Sequence, residues 1–479
     1  MDTLTKLGIL ADAAKYDAAC TSSGVSRGPK RGLVGMASGG GLCHSFTPDG
    51  RCVTLLKVLL SNACSYDCAY CVNRSSATCQ RATFGGRELA ELTVGFYKRN
   101  LIEGLFLSSG VLGTPDATAE RMVECLSILR GELRFNGYVH AKVVPGTSAE
   151  LVDALGRLAD RLSVNLELPS AASLGLLCPQ KDKAQIVGPM AQIAHTRRDE
   201  ELALAEGRRS KGRLPGASTA TGLVRTHGPI DAQLGLLPTA AEADAPLSPA
   251  VFGNALTLRK RSSVANHRRS FAPAGQSTQL IIGATPEDDN HILKLSQSLY
   301  QRFDLKRVFF SAYLPMLDDE HLPEPGTPVP LRREHRLYQA DWLMRYYAFT
   351  PDELVSPERP WLDLDVDPKL AWALAHIDRF PVEVNDAPLE VLLRVPGIGP
   401  VGARRILRAR RAGALTFDDL RNLKVTLKRA RHFITCSGRR DASSPLDVEL
   451  IRRRVVEDAQ ATAYNRTRRA REGNQLTLF

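Results

Sequence analysis

From Val53 to Thr350, short apolar runs alternate with longer stretches whose apolar residues recur at helical spacing. The short runs, 53–61, 104–110, 138–144, 162–168, 278–284 and 307–314, read as strands. The longer ones, roughly 86–100, 116–132, 148–159, 181–195 and 287–302, read as amphipathic helices. Alternation of this kind implies parallel strands joined by right-handed crossovers, in a partial (βα)6 barrel or an open doubly wound sheet. The run Leu162–Leu168 helps to choose. Ser163, Asn165 and Glu167 alternate with Leu162, Val164, Leu166 and Leu168, which puts the polar set on one face. A sheet covered on both faces by helices would be apolar throughout. A barrel with a wet, substrate-lined interior produces the alternation, and His140 and Lys142 repeat it more weakly. A sheet edge facing solvent would produce it too. The expected fold class is α/β, a partial (βα)6 barrel.

Elsewhere the rhythm breaks. Residues 1–52 are rich in Gly and Ser and weakly periodic, an N-terminal extension to a barrel domain of 53–350. Within 197–270 the only aromatic residue is Phe252, and Ala, Arg, Leu and Gly dominate. That stretch reads as a disordered insertion, with a second domain as the other reading. After Pro351–Pro360 the texture changes to short helices joined by Gly turns, a small all-α domain of 351–440. Residues 441–479 read as a flexible charged tail. No apolar run approaches the roughly 18–20 residues of a membrane span. The start, MDTLTKLGILADAAKYDAAC, lacks the basic and apolar blocks of a signal peptide, so a cytoplasmic protein is expected.

The charge is unevenly placed. The chain carries a formal net charge of +11, and 394–440 alone holds 13 Lys/Arg against 2 Asp. The remainder is neutral overall. One compact basic region points to a polyanion, nucleic acid being the commonest, with a solvated basic surface as the alternative.

Six of the ten cysteines fall between Cys43 and Cys79. In a chain without a secretion signal, that clustering points to metal or redox chemistry rather than disulfides. The core of the cluster is Cys64-Ser-Tyr-Asp-Cys68-Ala-Tyr-Cys71, directly after the first strand. It therefore occupies a loop at that strand's C-terminal end, where βα barrels place their active sites. Thiolates hold iron–sulfur clusters, and three of them leave one iron of a 4Fe–4S cluster open. A zinc site is the alternative, though zinc more often takes paired C-x2-C elements and four protein ligands.

The loop, with Tyr70 before its last cysteine, resembles the signature of the radical S-adenosylmethionine (radical SAM) superfamily. The resemblance implies a 4Fe–4S cluster on Cys64, Cys68 and Cys71 whose open iron binds the cofactor's amino and carboxylate groups. One-electron cleavage of the sulfonium then yields a 5′-deoxyadenosyl radical that abstracts a substrate hydrogen. The resemblance also implies cofactor contacts at Ser108, Ser109 and Gly110, where the family often has a Gly-Gly-Glu turn and this chain lacks the Glu. It implies more at Ser163, Asn165 and Glu167. The stretch Gln279-Leu-Ile-Ile-Gly283-Ala-Thr-Pro-Glu287 is similar to the family's adenine-side G-x-I-x-G-x-x-E, without the leading Gly. Cys20, Cys43, Cys52 and Cys436, with His44, could build a second metal site, or be simply buried. Cys79, Cys125 and Cys178 read as structural or incidental.

Residues 384–406 carry another motif. Leu389, Leu392 and Leu393 form an apolar helical face, Pro396-Gly397-Ile398-Gly399 a tight turn, and a second helix follows. This resembles the helix-hairpin-helix motif of DNA repair proteins. It implies that Gly397 and Gly399 let backbone N–H groups approach a phosphate, with Arg404 and Arg405 as counter-charge. Segments 417–423 and 425–433 suggest a second hairpin with Lys428, Arg429 and Arg431. A hairpin used only for packing is the alternative. At the C-terminus, Gln475-Leu476-Thr-Leu478-Phe479 is similar to the pentapeptide that docks bacterial proteins on the sliding clamp.

The order of parts resembles a bacterial family of radical SAM proteins assigned to DNA modification or repair and associated with a uracil-DNA-glycosylase-like partner. GLCHSFTPDGRC, RFNGYVHAKVVPG and LRREHRLYQADWL are among the fitting stretches. The implied function is radical modification or repair of a DNA base, fed by an electron donor. A tRNA- or rRNA-modifying radical enzyme, or a non-enzymatic iron–sulfur DNA-binding protein, remains open at this point.

Overall fold

The computed structural model describes residues 1–14, 42–46, 52–210, 270–444 and 447–457. The chain divides into two compact units, Met1–Glu287 with Ser298–Pro330, and Asp288–Gln297 with Leu331–Phe479.

The first unit is built on one sheet. Its strands are β1 (Leu42–Phe46), β2 (Cys52–Leu59), β3 (Gly104–Ser108), β4 (Tyr138–Lys142), β5 (Arg161–Ser163), β6 (Gln276–Ile282) and β7 (Leu305–Ala312), hydrogen-bonded in that order. Strands β2 to β7 pair in parallel, and β1 runs antiparallel to β2. A doubly wound sheet reverses its strand order at a switch point. Here the order never reverses, so successive crossovers step the same way and their helices gather on one face. Those helices are α2 (Gly86–Lys98), α3 (Pro115–Ser127), α4 (Ala149–Leu158), α5 (Ala171–Leu177) and α6 (Lys183–Ser210); α1 (Thr3–Ala14) precedes β1, and α7 (Asp289–Phe303) begins in the second unit and ends in the first.

Side-chain parity agrees with this winding. Val58, Leu107, Val139, Leu162, Leu280 and Val308 are buried on the helix-covered face. The alternate positions include the buried polar residues Lys57, Ser108, His140, Ser163 and Gln279, with Phe106 among them. Leu59 of β2 and Ser311 of β7 line the same cavity. A flat array of six strands would hold them about 24 Å apart, so the sheet curves. The first unit is an open (βα)6 half-barrel with a polar interior.

Several elements differ from their sequence-based boundaries. The strand expected over 162–168 ends at Ser163; Glu167 has φ +66° and makes an isolated bridge to Leu280. The helix expected to end at 195 continues through 197 to Ser210. Arg197 pairs with Glu201 one turn on (3.2 Å) and with Asp304 (2.6 Å), which carries the helix past the point where its apolar pattern fades. Residues 211–269 lie outside the described residues. The N-terminal stretch supplies α1 and β1, neither of which its weak periodicity predicts.

The second unit contains α8 (Leu331–Tyr346), α9 (Pro351–Leu354), α10 (Pro368–Ala375), α11 (Leu389–Arg394), α12 (Pro400–Ala409), α13 (Phe417–Asn422), α14 (Leu427–Ala430) and a helix over 448–457. It is not all-α. β8 (Val382–Glu383) pairs in parallel with β9 (Ile434–Thr435), strands too short for any period to show in the sequence. Its core includes Leu392, Ile398, Ala403, Ile406, Leu420 and Phe433. Among the described residues no helix is long and apolar enough to cross a membrane.

Candidate functional site

The cysteine loop leaves the C-terminal end of β2 and folds back on itself without regular structure. One guanidinium ties it together. Arg81 donates to the carbonyls of Asn62 (2.5 Å), Asn73 (2.8 Å), Arg74 (2.6 Å) and Ala77 (2.9 Å). Asp67 accepts from the N–H and hydroxyl of Ser76, and the Asn62 side chain spans Gln80 and Ala82. The loop packs against the turn after β3. A Cβ on Gly110 would stand 3.2 Å from both the Ala63 carbonyl and the Cys64 Cβ, so this close approach suits glycine.

Cys64 and Cys71 line a cavity of about 320 Å³ at the C-terminal ends of the strands. The Cys64 sulfur accepts from the backbone N–H of Tyr66 (3.4 Å) and Val111 (3.3 Å). Cys68 is buried and accepts a side-chain hydrogen bond from Cys178, which with nearby Lys181 lowers its thiol to about 6. Cys178 keeps its proton, its thiol pushed up by that same contact and by burial. Burial raises Cys71 to about 11. Burial alone would lower Lys181, but Cys68 and Glu167 outweigh it and hold the ammonium well above its usual range.

Lys181 stands 3.9 Å from Glu167 and 3.4 Å from the Tyr70 hydroxyl. Lys142 approaches the same Glu167 oxygen at 3.5 Å. Glu167 is the one carboxylate among the cavity's lining residues, beside Lys142 and Gln279. Behind it, Asn165 donates to the Gln279 side chain (3.1 Å), and His140 and Ser163 share a hydrogen bond (3.0 Å). The Tyr313 hydroxyl, from a cavity-lining residue, and the Ser108 hydroxyl are buried with no hydrogen-bond partner among the described residues.

These observations bear on whether the residues suit a 4Fe–4S cluster and S-adenosylmethionine. No His, Cys, Asp or Glu side chains among the described residues are grouped as a single ion would need. A cube of iron and sulfide instead asks for thiols spread round a space, with N–H donors on the sulfurs. Cys64 and Cys71 on a cavity wall, two N–H donors on the Cys64 sulfur and buried unpartnered hydroxyls suit such a group, with Cys68 buried on the same loop off the lining.

The sequence-predicted cofactor residues separate into groups. Tyr70, Ser109, Gly110 and Glu167 line the cavity together with Cys64 and Cys71. Ser108, Ser163 and Asn165 are buried just behind the lining. Gly283 is not on the lining; it turns at φ +83° against Pro330. Glu287 accepts from Ser170 and Ser173 (2.5 Å each), at the start of α5. Sequence reasoning missed Lys181 and Cys178, which arrive on the α5–α6 connection. The Ala69 N–H donating to the Leu177 carbonyl (2.8 Å) docks that connection on the cysteine loop. Of the proposed second metal set, Cys436 is buried in the second unit and Cys43 and Cys52 lie on β1 and β2. Cys20 and the peptide 475–479 lie outside the described residues.

In the second unit, α11 and α12 pack together about the Pro396–Gly399 turn as a first hairpin, and α13 and α14 occupy the segments expected of a second. Gly397 turns at φ +87°, and a Cβ there would stand 2.6 Å from the Thr426 carbonyl of the second hairpin. The basic residues divide into two sets. Arg394 lies 3.8 Å over Phe349 and pairs with Glu353 at 2.8 Å. Arg410 donates to the carbonyls of Val384 and Ala387, and Arg429 pairs with Asp367 at 2.6 Å. Those residues hold the unit together. Arg404, Arg405, Arg408, Arg411 and Lys428 are exposed, with Arg405 also donating to the Leu423 carbonyl.

No family model and no curated protein matches this chain. Among solved structures it is similar to HydG, a maturase of the FeFe-hydrogenase, at 13% identity and a TM-score of 0.35, over 60% of this chain and 48% of that one. It is also similar to the FeFe-hydrogenase maturase HydG from Carboxydothermus hydrogenoformans, at 10% identity and a TM-score of 0.36, over 60% and 50%. The chain thus spans about half the length of either protein. A superposition this loose carries nothing about activity, substrate or partner.

Proposed function

We propose that the chain is a radical SAM enzyme that modifies or repairs a base in DNA. The observation that carries this reading is the shared cavity: Cys64 and Cys71 line it with Glu167, Lys142 and Gln279 at the C-terminal ends of a singly wound parallel sheet. When bound, the cluster and cofactor would supply one-electron cleavage of a sulfonium and a carbon-centred radical. The protein's part is binding and shielding. Cys64, Cys68 and Cys71 hold the cluster. Glu167 is set to receive an ammonium group and Lys142 a carboxylate. Asn165 and Gln279 fix each other and present amide groups to sugar hydroxyls. Tyr70 and Tyr313 close the wall against water.

The exposed arginines of the second unit support a nucleic-acid substrate, with backbone N–H groups after Gly399 and the side chains of Arg404, Arg405 and Lys428 on phosphates. Arg429, already paired with Asp367, contributes less. The terminal peptide 475–479 would tether the enzyme to the sliding clamp, and a uracil-DNA-glycosylase-like protein and an electron donor are its expected partners.

Anaerobic reconstitution with iron and sulfide, followed by reduction, tests the proposal. Consumption of S-adenosylmethionine, faster with damaged duplex DNA than without, is the expected result. Absence of a sulfide-bearing chromophore would overturn the radical reading. Preferential stimulation and binding by a matched RNA duplex would overturn DNA as the substrate.

A further inference from the structure

Trp342 and Tyr346 stand one turn apart on α8, their ring centroids 4.3 Å apart and tilted by 44°. Trp342 is 54% exposed and Tyr346 46%. Trp361 is as exposed, at 53%, but carries the Arg333 guanidinium on its ring at 4.6 Å, and only Trp372 is inside the core, buried against Phe349 and His376. A large ring left in water forgoes the stabilisation that burial gives, so packing does not account for Trp342.

The aromatic pair is connected to the first hairpin. Trp342 and Tyr347 share a side-chain hydrogen bond. The Tyr347 hydroxyl in turn stands 3.1 Å from where a Cβ on Gly399 would lie. Lys369 fixes the same corner, donating to the Ile398 carbonyl at 2.6 Å while lying 4.7 Å over the Tyr347 ring. Just beyond the turn, Val401 is 58% exposed and Arg404 is exposed one turn of α12 later. The surface thus joins an exposed Trp342 ring, backed by Tyr346 that itself lies 5.0 Å under the Arg345 guanidinium, to a glycine turn, the first turn of a helix and a cation. A phosphate suits the helix start and the arginine. A base suits the rings, since every base offers a π face, but only when it is not paired inside a duplex. An apolar peptide would satisfy the rings and leave the basic side unmatched.

We infer that Trp342, backed by Tyr346, forms a stacking platform for an unpaired nucleobase of the strand held by the 396–405 hairpin. The second unit then binds single-stranded or locally opened nucleic acid in preference to intact duplex. The inference rests on the nucleic-acid reading of the second unit given above.

Fluorescence anisotropy with the full chain tests it, using a labelled thymidine oligonucleotide, an intact duplex and a duplex with a central bubble. Trp342→Ala should weaken binding to the single strand and the bubble by about ten- to a hundredfold, with intact duplex unchanged. Trp342→Phe should retain most of the affinity, because it keeps the ring and loses only the hydrogen bond. Arg404→Glu should weaken all three. Equal loss on all three probes with Trp342→Ala, or no loss on the single strand, would overturn the platform and leave the patch to a protein partner. Failure of the unaltered chain to bind any probe would overturn the nucleic-acid reading itself, a distinguishable outcome.

Discussion

In the first unit Lys142, Glu167 and Gln279 face inward round a cavity, whereas in the second Arg404, Arg408 and Lys428 stand exposed over a core of Leu392, Ile406 and Phe433. The contrast decides how each polar residue should be read. A charge taken out of water costs free energy unless a partner or ligand compensates it. Glu167, 8% exposed, has that cost met by Lys142 and Lys181, and it is this charged group on a cavity wall that marks a site. An exposed arginine costs nothing to place and marks little. In the second unit the informative distinction is between arginines that brace the fold, such as Arg394 and Arg410, and those that touch nothing structural, such as Arg404.

Four changes would break or sharpen that contrast. The largest effect belongs to the cysteines: Cys64→Ala, Cys68→Ala or Cys71→Ala should each abolish iron retention after reconstitution, measured as iron and sulfide per chain, while oligonucleotide anisotropy stays unchanged. Parallel loss of nucleic-acid binding would show that the two units are not independent. Next is Gly397→Ala, which forces a side chain to φ +87° and to 2.6 Å from the Thr426 carbonyl. It should destabilise the second unit by about 3 kcal/mol in urea melts and leave iron content intact.

Lys369 gives a pH signature. Burial lowers it to about 7, against about 10.4 in an unfolded chain. Below pH 7 both states carry the proton and the full cost of the buried charge is present. Between about 7 and 10.4 the folded state has released the proton while the unfolded state keeps it, so stability rises with pH and levels off above. Lys369→Met should remove that rise, read as the difference between variant and parent melts across the window. The smallest effect is Arg404→Ala. Stability should stay within about 0.5 kcal/mol, and the slope of log affinity against log salt should fall by about one.

Much of the half-barrel is legible because its two faces differ chemically. The six parallel strands fall within a few residues of their apolar runs, although of Ser163, Asn165 and Glu167 only Ser163 lies on a strand. The cysteine loop is legible because its three thiols are close in sequence. Lys181 and Cys178 are not, since each lies about 110 residues from the loop and meets it only through the docking of the α5–α6 connection. β8 and β9 are two residues each and leave no period to detect. The division of the basic residues was also hidden, because composition counts Arg394 and Arg404 alike and only their neighbours tell them apart.

The guanidinium of Arg81 has a bearing on how the protein would meet oxygen. Small zinc-dependent domains collapse when stripped, because the ion is what gathers their ligands. Here four carbonyls are already gathered by a side chain that never loses its charge. Iron held there would then be a guest of the scaffold rather than its keystone. A chelator should bleach the colour without changing the far-ultraviolet circular dichroism, and the same molecules should take up metal again, whereas Arg81→Leu should make that loss irreversible.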